Sequence, residues 1–412
     1  MKDKKKERII VIISVIVIVC VGGLIGKMLG KDEPEKPVIT PLPQEATGNF
    51  DIDIIRNANV KDNYLISPYN IKIALSMLRD GADGNTKDEL DKVLGDTEIN
   101  DVSVKDKLKV ANGLFVKNKY KNDVKSDFTN TLKTNYNAEI LYDEYNTPAV
   151  INNWAEEKTN GMIKNLLNEM PNNFVLGIAS ALALDVKWQN EFECIGTTSE
   201  EFTKIDNGKM NTEMMHQTYK SNLQYFNNQD AEGVIIPYKV EENSNAKLEF
   251  VGILPKTSVD DYVSNLTMAK IDSIFMSNRE ASKELHVNLS LPRFTYDYSV
   301  DNFKDILINM GIKDAFDQEN ANFKKMIDEQ VYVSSALHKT KIELSESGTK
   351  AAAVTYFGVE TSGYIAPEEF EEINIKFNKP FVYIIREKNT REILFFGVVY
   401  EPNKWTKTTC EE

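Results

Sequence analysis

The side chains that could do chemistry here are few. His216, His286 and His338 are the only imidazoles in 412 residues. A nucleophilic hydrolase needs a base beside its nucleophile, usually a histidine. No G-x-S-x-G elbow surrounds any serine, and no H-E-x-x-H, paired C-x-x-C or phosphate-binding glycine loop occurs. His338 lies mid-strand among apolar neighbours, the setting of a hydrogen-bonded core histidine. His216 sits in a polar stretch and His286 alternates within a strand, which suits structural or solvated roles. No catalytic residue, metal set or cofactor is therefore expected. Lys117, Lys119, Lys121 and Lys125 could bind a polyanion, but the interleaved Asp123 and Asp127 make a solvated face the better account. The net charge of −14 repels phosphates and argues against nucleic acid.

A different chemistry is suggested by SESGTKAAAVTYFGV, Ser345–Val359. It follows a long strand pattern, VYVSSALHKTKIELS, that carries apolar residues on both faces, as a strand in the middle of a large sheet would. Thr349, Ala351, Ala353 and Thr355 alternate onto one face and are all small. Gly348 supplies backbone freedom for a bend. Lys350 and Val354 fall on the other face, where proximity to solvent would make the lysine harmless. The segment reads as backbone able to be loop at one time and strand at another.

The elements that must position it are legible in part. In LISPYNIKIALSMLRDGADG, Ser67 caps a helix, Pro68 fills its first turn, Ile71, Ala74, Leu75 and Leu78 share a face, and Gly81 ends it. Further helices are expected at FDIDIIRNA, TPAVINNWAEEKTNGMIKNLL and SVDNFKDILINMG. Strands are expected at EGVIIPYKV, KLEFVGILP and ELHVNLSLPRF, with two more in INIKFNKPFVYIIREKNTREILFFGVVYEP, joined at Asn389 and Thr390. No repeat or second linker interrupts the body, and 42% apolar residues suffice for one large core.

Ahead of the body, residues 1–8 form a basic flank. The uncharged run IIVIISVIVIVCVGGLIG follows, Ile9–Gly26. As a helix its eighteen residues would span roughly 27 Å, enough for a bilayer core. Residues 9–29 are thus expected to be a signal-anchor helix, with the basic flank cytoplasmic and the rest outside the cell. A cleaved signal peptide, giving a secreted protein, is the rival reading. Residues 30–48 are a proline-rich linker, 49–406 the folded domain and 407–412 a C-terminal tail. Cys194 and Cys410 are too few for a disulfide framework, and whether they pair stays open.

Taken together and in order, LISPYNIKIALSMLRDGADGNTKDEL, ANGLFVKN, INNWAEEKTNGMI, VKWQNEF, LPRF, NMGIKDAFDQENANF, VYVSSALHKTKIELSESGTKAAAVT and FNKPFVYIIREKNTREILFFGVV resemble the serpin family over essentially the whole body. The abundance of Lys, Asn and Ile fits a bacterial member, and the N-terminal apolar run a membrane-anchored one. The resemblance implies an α+β fold of three β-sheets with eight to nine helices and an exposed reactive-centre loop. It also implies a suicide mechanism. A serine protease attacks the loop and forms an acyl-enzyme, and the cut loop then inserts as a strand of the central sheet. Deacylation stops because the oxyanion hole and triad are deformed. Insertion of about fourteen residues would add on the order of fourteen backbone hydrogen bonds, roughly 7–20 kcal/mol at 0.5–1.5 each. The native form would then be metastable, held by a barrier.

Residue by residue, the resemblance places the hinge at Glu346, Gly348, Thr349, Ala351, Ala352, Ala353 and Thr355. Trp188 falls at the breach, the top of the sheet where insertion starts. Ser67, Asn70, Ser180 and His338 fall at the shutter, where the sheet opens. The family usually has serine and asparagine where this chain has Asn70 and Ser180, and the exchange suggests a compensated hydrogen-bond network. Spacing from the hinge puts the reactive bond at Ser362–Gly363, with Thr361 and Tyr364 as alternatives. Counting back from FNKPF points nearer Glu369. The resulting expectation is a monomeric, extracellular inhibitor of elastase-, subtilisin- or chymotrypsin-like serine proteases, with cysteine proteases as a further class. The alternative is a non-inhibitory serpin acting as a binding module. Neither is an enzyme.

Overall fold

The computed structural model describes residues 10–22 and 45–402, apart from 59–60, 97, 105–106, 242–243, 301–302 and 347–368. In chain order its strands begin with β1 (Ile10–Gly22), β2 (Tyr64–Ile66), β3 (Leu108–Lys117), β4 (Glu139–Asp143), β5 (Phe174–Trp188) and β6 (Thr198–Thr203). Next come β7 (Lys209–Tyr219), β8 (Gln224–Asn227), β9 (Ala231–Lys239), β10 (Leu248–Pro255), β11 (Asn278–Glu280) and β12 (Leu285–Pro292). The last are β13 (Phe294–Val300), β14 (Val331–Leu344), β15 (Glu371–Lys376), β16 (Phe381–Glu387) and β17 (Ile393–Val399). The helices are α1 (Phe50–Asn57), α2 (Pro68–Asp80), α3 (Gly84–Leu94), α4 (Ser126–Tyr136), α5 (Ala149–Lys158), α6 (Val259–Ser264), α7 (Met268–Met276) and α8 (Phe303–Met310).

These strands make three sheets, as the resemblance implies. The central one runs β13-β14-β1-β5-β3-β4, antiparallel except for the β3–β4 pair. A second runs β11-β8-β9-β10-β16-β17-β2, and among the described residues its strand ladder joins that of the first where Lys187 and Trp188 pair with Lys239 and Tyr238. The third runs β15-β12-β7-β6. β14 lies inside the central sheet, but its burial alternates: Val331, Val333, Ala336, His338, Thr340, Ile342 and Leu344 are buried and their neighbours half-buried.

α2 forms where its signals put it. The Ser67 hydroxyl accepts from the Asn70 amide, Pro68 opens the first turn and Gly81 is the C-cap. α5 is shorter than TPAVINNWAEEKTNGMIKNLL suggests. It ends at Lys158, before Asn160 and Gly161 take positive φ of 51° and 81°. INIKFNKPFVYIIREKNTREILFFGVVYEP holds three strands rather than two. β15 belongs to the third sheet, pairing in parallel with β12, while β16 and β17 pair in the second.

The main correction concerns the N-terminus. Ile10–Gly22 is a strand, not the helix expected over 9–29, and among the described residues no helix is long and apolar enough to cross a membrane. β1 lies between β14 and β5, antiparallel to both, with a shift of register near Cys20 on each side. Ten of its thirteen residues are Ile or Val, whose branched side chains favour the pleated conformation. Both faces are covered. Ile12, Ile16, Ile18 and Cys20 join the core that contains Ile71, Ala74 and Leu75 of α2. Ile13, Val15, Val17, Val19 and Val21 pack in a second cluster with Phe115, Ile151 and Trp154. The outer face of the sheet is therefore covered along β1 from Ile13 to Val21.

Candidate functional site: the opening of the central sheet

The residues singled out for sheet opening fall at two levels of the central sheet. At mid-height, α2 delivers Ser67 and Asn70 beneath β5 and β14. The Ser67 amide donates to His338 Nε2 at 3.3 Å, and the Ser67 hydroxyl donates to the Leu394 carbonyl of β17 at 2.6 Å. Asn70 Nδ2 donates to the Ser180 carbonyl at 3.1 Å and to the Ser14 hydroxyl at 2.8 Å. All six residues are buried. Burial lowers the His338 pKa from 6.5 to about 3. The ring is thus neutral at physiological pH and, since Nε2 accepts, its proton resides on Nδ1.

The exchange of Asn70 and Ser180 is only partly compensated. Asn70 reaches the backbone of residue 180, while the Ser180 hydroxyl, Asn70 Oδ1 and His338 Nδ1 have no hydrogen-bond partner among the described residues. The reason is the strand between them. Ile16 pairs with Ser180 on one side and His338 on the other, so the two residues stand two strand spacings apart, roughly 9.6 Å. Their side chains cannot meet while β1 is in place.

At the top of the sheet, Trp188 ends β5 fully buried. It stacks on Tyr238 with centroids 5.0 Å apart and meets Phe192 and Phe250 edge-on at 5.9 and 5.4 Å. Its Nε1 donates to the Ser345 carbonyl at 3.0 Å, just past the end of β14. Glu346 is anchored beside it: its carbonyl accepts from the Phe192 amide at 3.0 Å, and Oε1 accepts from Thr197 Oγ1 at 2.6 Å. Oε1 also pairs with Arg293 Nη1 at 3.3 Å, and Arg293 reaches Glu213 on β7 as well. Arg293 and Glu346 are buried, so this charge pair tethers the entrance of the hinge to the third sheet. Sequence reasoning had passed over Arg293. Its signal was a lone cation in LPRF, between a strand end and an aromatic.

Of the remaining hinge residues, Gly348, Thr349, Ala351, Ala352, Ala353 and Thr355 lie outside the described residues. So do Ser362, Gly363, Thr361 and Tyr364. His216 takes a structural place, contacting Glu200 at 2.6 Å and Ser290 at 3.0 Å between strands of the third sheet. His286 stacks on Phe370 at 3.8 Å. Lys121 and Lys119 lie over tyrosine rings and Lys125 pairs with Asp328. Among the described residues no group of His, Cys, Asp and Glu could hold a metal ion. Cys194 is disulfide-bonded and Cys20 is free.

Comparison with known proteins agrees with this geometry. A family model described as Serpin (serine protease inhibitor) matches residues 45–402. An uncharacterized serpin-like protein of Thermococcus kodakarensis is 30% identical over 397 residues, covering 90% of this chain and 87% of its own. Neuroserpin of Homo sapiens is 28% identical over 398 residues, covering 88% and 92%. Among solved structures, the thermophilic serpin tengpin in its native state gives a TM-score of 0.70 at 28% identity, over 90% of this chain and 96% of its own.

Proposed function

The chain belongs to the serpin family, and from that premise we propose that it inhibits serine proteases by cleavage and insertion of the loop that follows β14. One observation carries this reading. Between β5 and β14 the sheet accepts a complete additional strand, hydrogen-bonded on both edges and antiparallel to β14. A chain that turns back from the end of β14 takes that position and that direction. The tethered Ser345 and Glu346 sit at its entrance, and the small, alternating residues Thr349, Ala351, Ala353 and Thr355 come next in sequence. Insertion of a serpin's loop is itself an established instance of strand addition.

The bait is proposed to be Ser362–Gly363, with Thr361 or Tyr364 as the neighbouring choices. No Lys or Arg occurs from Ala351 to Ile375, so a trypsin-like pocket finds nothing to pair with its carboxylate. An elastase- or subtilisin-like pocket accepts the serine and a chymotrypsin-like pocket the tyrosine. The inhibitor is further proposed to work outside a bacterial cell, tethered through its N-terminal apolar run. Support comes from the basic flank, from the length of the run and from the disulfide at Cys194, a bond favoured in oxidising compartments.

A second reading, a binding module that never inserts its loop, draws on the presence of β1 in the very slot the loop would need. Incubating the full chain with a protease panel, in the presence of phosphatidylglycerol–phosphatidylcholine vesicles, separates the two. The inhibitor gives a denaturant-resistant complex with an elastase-, subtilisin- or chymotrypsin-like enzyme and none with trypsin. Sequencing the released peptide then locates the bond. Cleavage without a stable complex throughout the panel decides for the binding module, and a trypsin complex cut within the loop overturns the assigned bait.

A further inference from the structure

β1 has the marks of a resident strand. Its register with β5 and β14 runs nearly its whole length, and its two faces fill two separate apolar clusters. In an otherwise apolar run its one hydroxyl, Ser14, falls where Asn70 offers a donor at 2.8 Å. Displaced by one residue, the strand would turn Ser14 into the opposite cluster and leave that donor facing an aliphatic side chain.

The same residues belong to the eighteen-residue run long enough to cross a bilayer as a helix. The segment thus has two destinations that satisfy its backbone. In the sheet its N–H and C=O groups pair with β5 and β14, and in lipid they would pair with each other along a helix. Its presence in the sheet also excludes any other strand from that place.

We propose that β1 is an autoinhibitory strand exchanged between sheet and lipid. In a chain free of membrane it occupies the slot and blocks insertion of the reactive loop, and a bilayer withdraws it and leaves the slot open. The blocking role rests on the inhibitory reading above. The partner that releases inhibition is a lipid bilayer, met by an apolar segment with a basic flank.

Cys20 provides the test. It is a free cysteine, and its neighbour across the sheet on β5 is Leu176. Directly opposed residues in an antiparallel pair lie close enough for a disulfide. The full chain carrying Leu176→Cys is oxidised mildly, first in lipid-free buffer and then after addition to phosphatidylglycerol–phosphatidylcholine vesicles. Bond formation is read by mass after digestion. Trapping of an elastase- or chymotrypsin-like protease is read on denaturing gels, and the parent chain, treated identically, controls for the disulfide at Cys194.

The expected result is a cross-linked, non-trapping chain in buffer that regains trapping on reduction in the presence of vesicles. Vesicles added before oxidation should lower the cross-link yield at least about tenfold. Val333→Cys, the neighbour of Cys20 on β14, repeats the test should Leu176→Cys fail to fold. Absence of a cross-link in buffer from both variants, a yield unchanged by vesicles, or a locked chain that still traps protease overturns the proposal. A cross-link that responds to vesicles in a chain that never traps any protease overturns the blocking role through failure of the inhibitory reading. The cross-link itself tells that failure from a failure of the exchange.

Discussion

His338 should make the stability of the domain acid-sensitive, by an amount that can be worked out. The ring is buried at mid-sheet with its Nε2 accepting from the Ser67 amide, and burial lowers its pKa from 6.5 to about 3. Because the folded pKa is the lower one, the unfolded chain takes up the proton first as pH falls. The contribution is complete above about pH 6.5 and drains away from there down to about pH 3. At about pH 5 the unfolded ring is almost wholly protonated and the folded ring hardly at all, a loss of about 2 kcal/mol relative to pH 8. Any folded pKa below about 4 gives the same figure, since at that pH the unfolded value governs the loss.

The assay is urea unfolding of the parent and of His338→Gln between about pH 8 and pH 5. Carboxylates contribute to both proteins and cancel in the difference. The parent should lose about 2 kcal/mol more than the variant over this interval, whatever their absolute stabilities. Equal losses would show that the ring titrates normally in the folded state, and the account of a neutral, buried His338 would fall.

Three further outcomes follow from the hinge and its entrance. Thr349→Arg should convert the inhibitor to a substrate, since inward rotation would bury an unpaired guanidinium at a cost of several kcal/mol, and each 1.4 kcal/mol slows insertion about tenfold. Unchanged stoichiometry against a trapped protease refutes this, with Lys350→Glu, at the adjoining outward position, as the control expected to inhibit normally. Arg293→Ala leaves Glu346 buried without its cation and should lower unfolding stability by about 3–5 kcal/mol, with the Glu346→Gln double variant recovering part of the loss. Trp188, held by the Ser345 carbonyl and stacked on Tyr238, should change its emission when the loop is cut and inserts. A Trp188→Phe protein should lose most of that signal while trapping protease as before.

Much of the architecture could be read from local signals. The boundaries of α2 followed from Ser67, Pro68 and Gly81, because caps and stops act through neighbouring backbone groups. The length and place of β14 followed from an apolar pattern too long for a surface strand. The ordered motifs carried the three sheets, and the family's positions brought Ser67, Asn70 and His338 to one place. The boundary of α5 and the third strand near the C-terminus were missed. The Asn160–Gly161 stop was a local signal passed over, whereas a change of sheet depends on where the chain meets its neighbours.

What the sequence alone could not determine was the conformation of Ile10–Gly22 and everything that depends on it. A run apolar at nearly every position has no period, so helix and strand are equally consistent with it, and length alone argued for the membrane. Only the folded body presents a slot with two open hydrogen-bonding edges and two apolar faces, which a thirteen-residue run rich in Ile and Val fills as β1. That occupancy separates Ser180 from His338, leaves their polar groups without each other and gives Asn70 a partner in Ser14. The Arg293–Glu346 pair belongs to the same class, since residues 53 positions apart in the chain meet where the third sheet abuts the end of β14. Local physics marks where an element begins and ends. Which edge it pairs with is decided by the surfaces the rest of the chain leaves open.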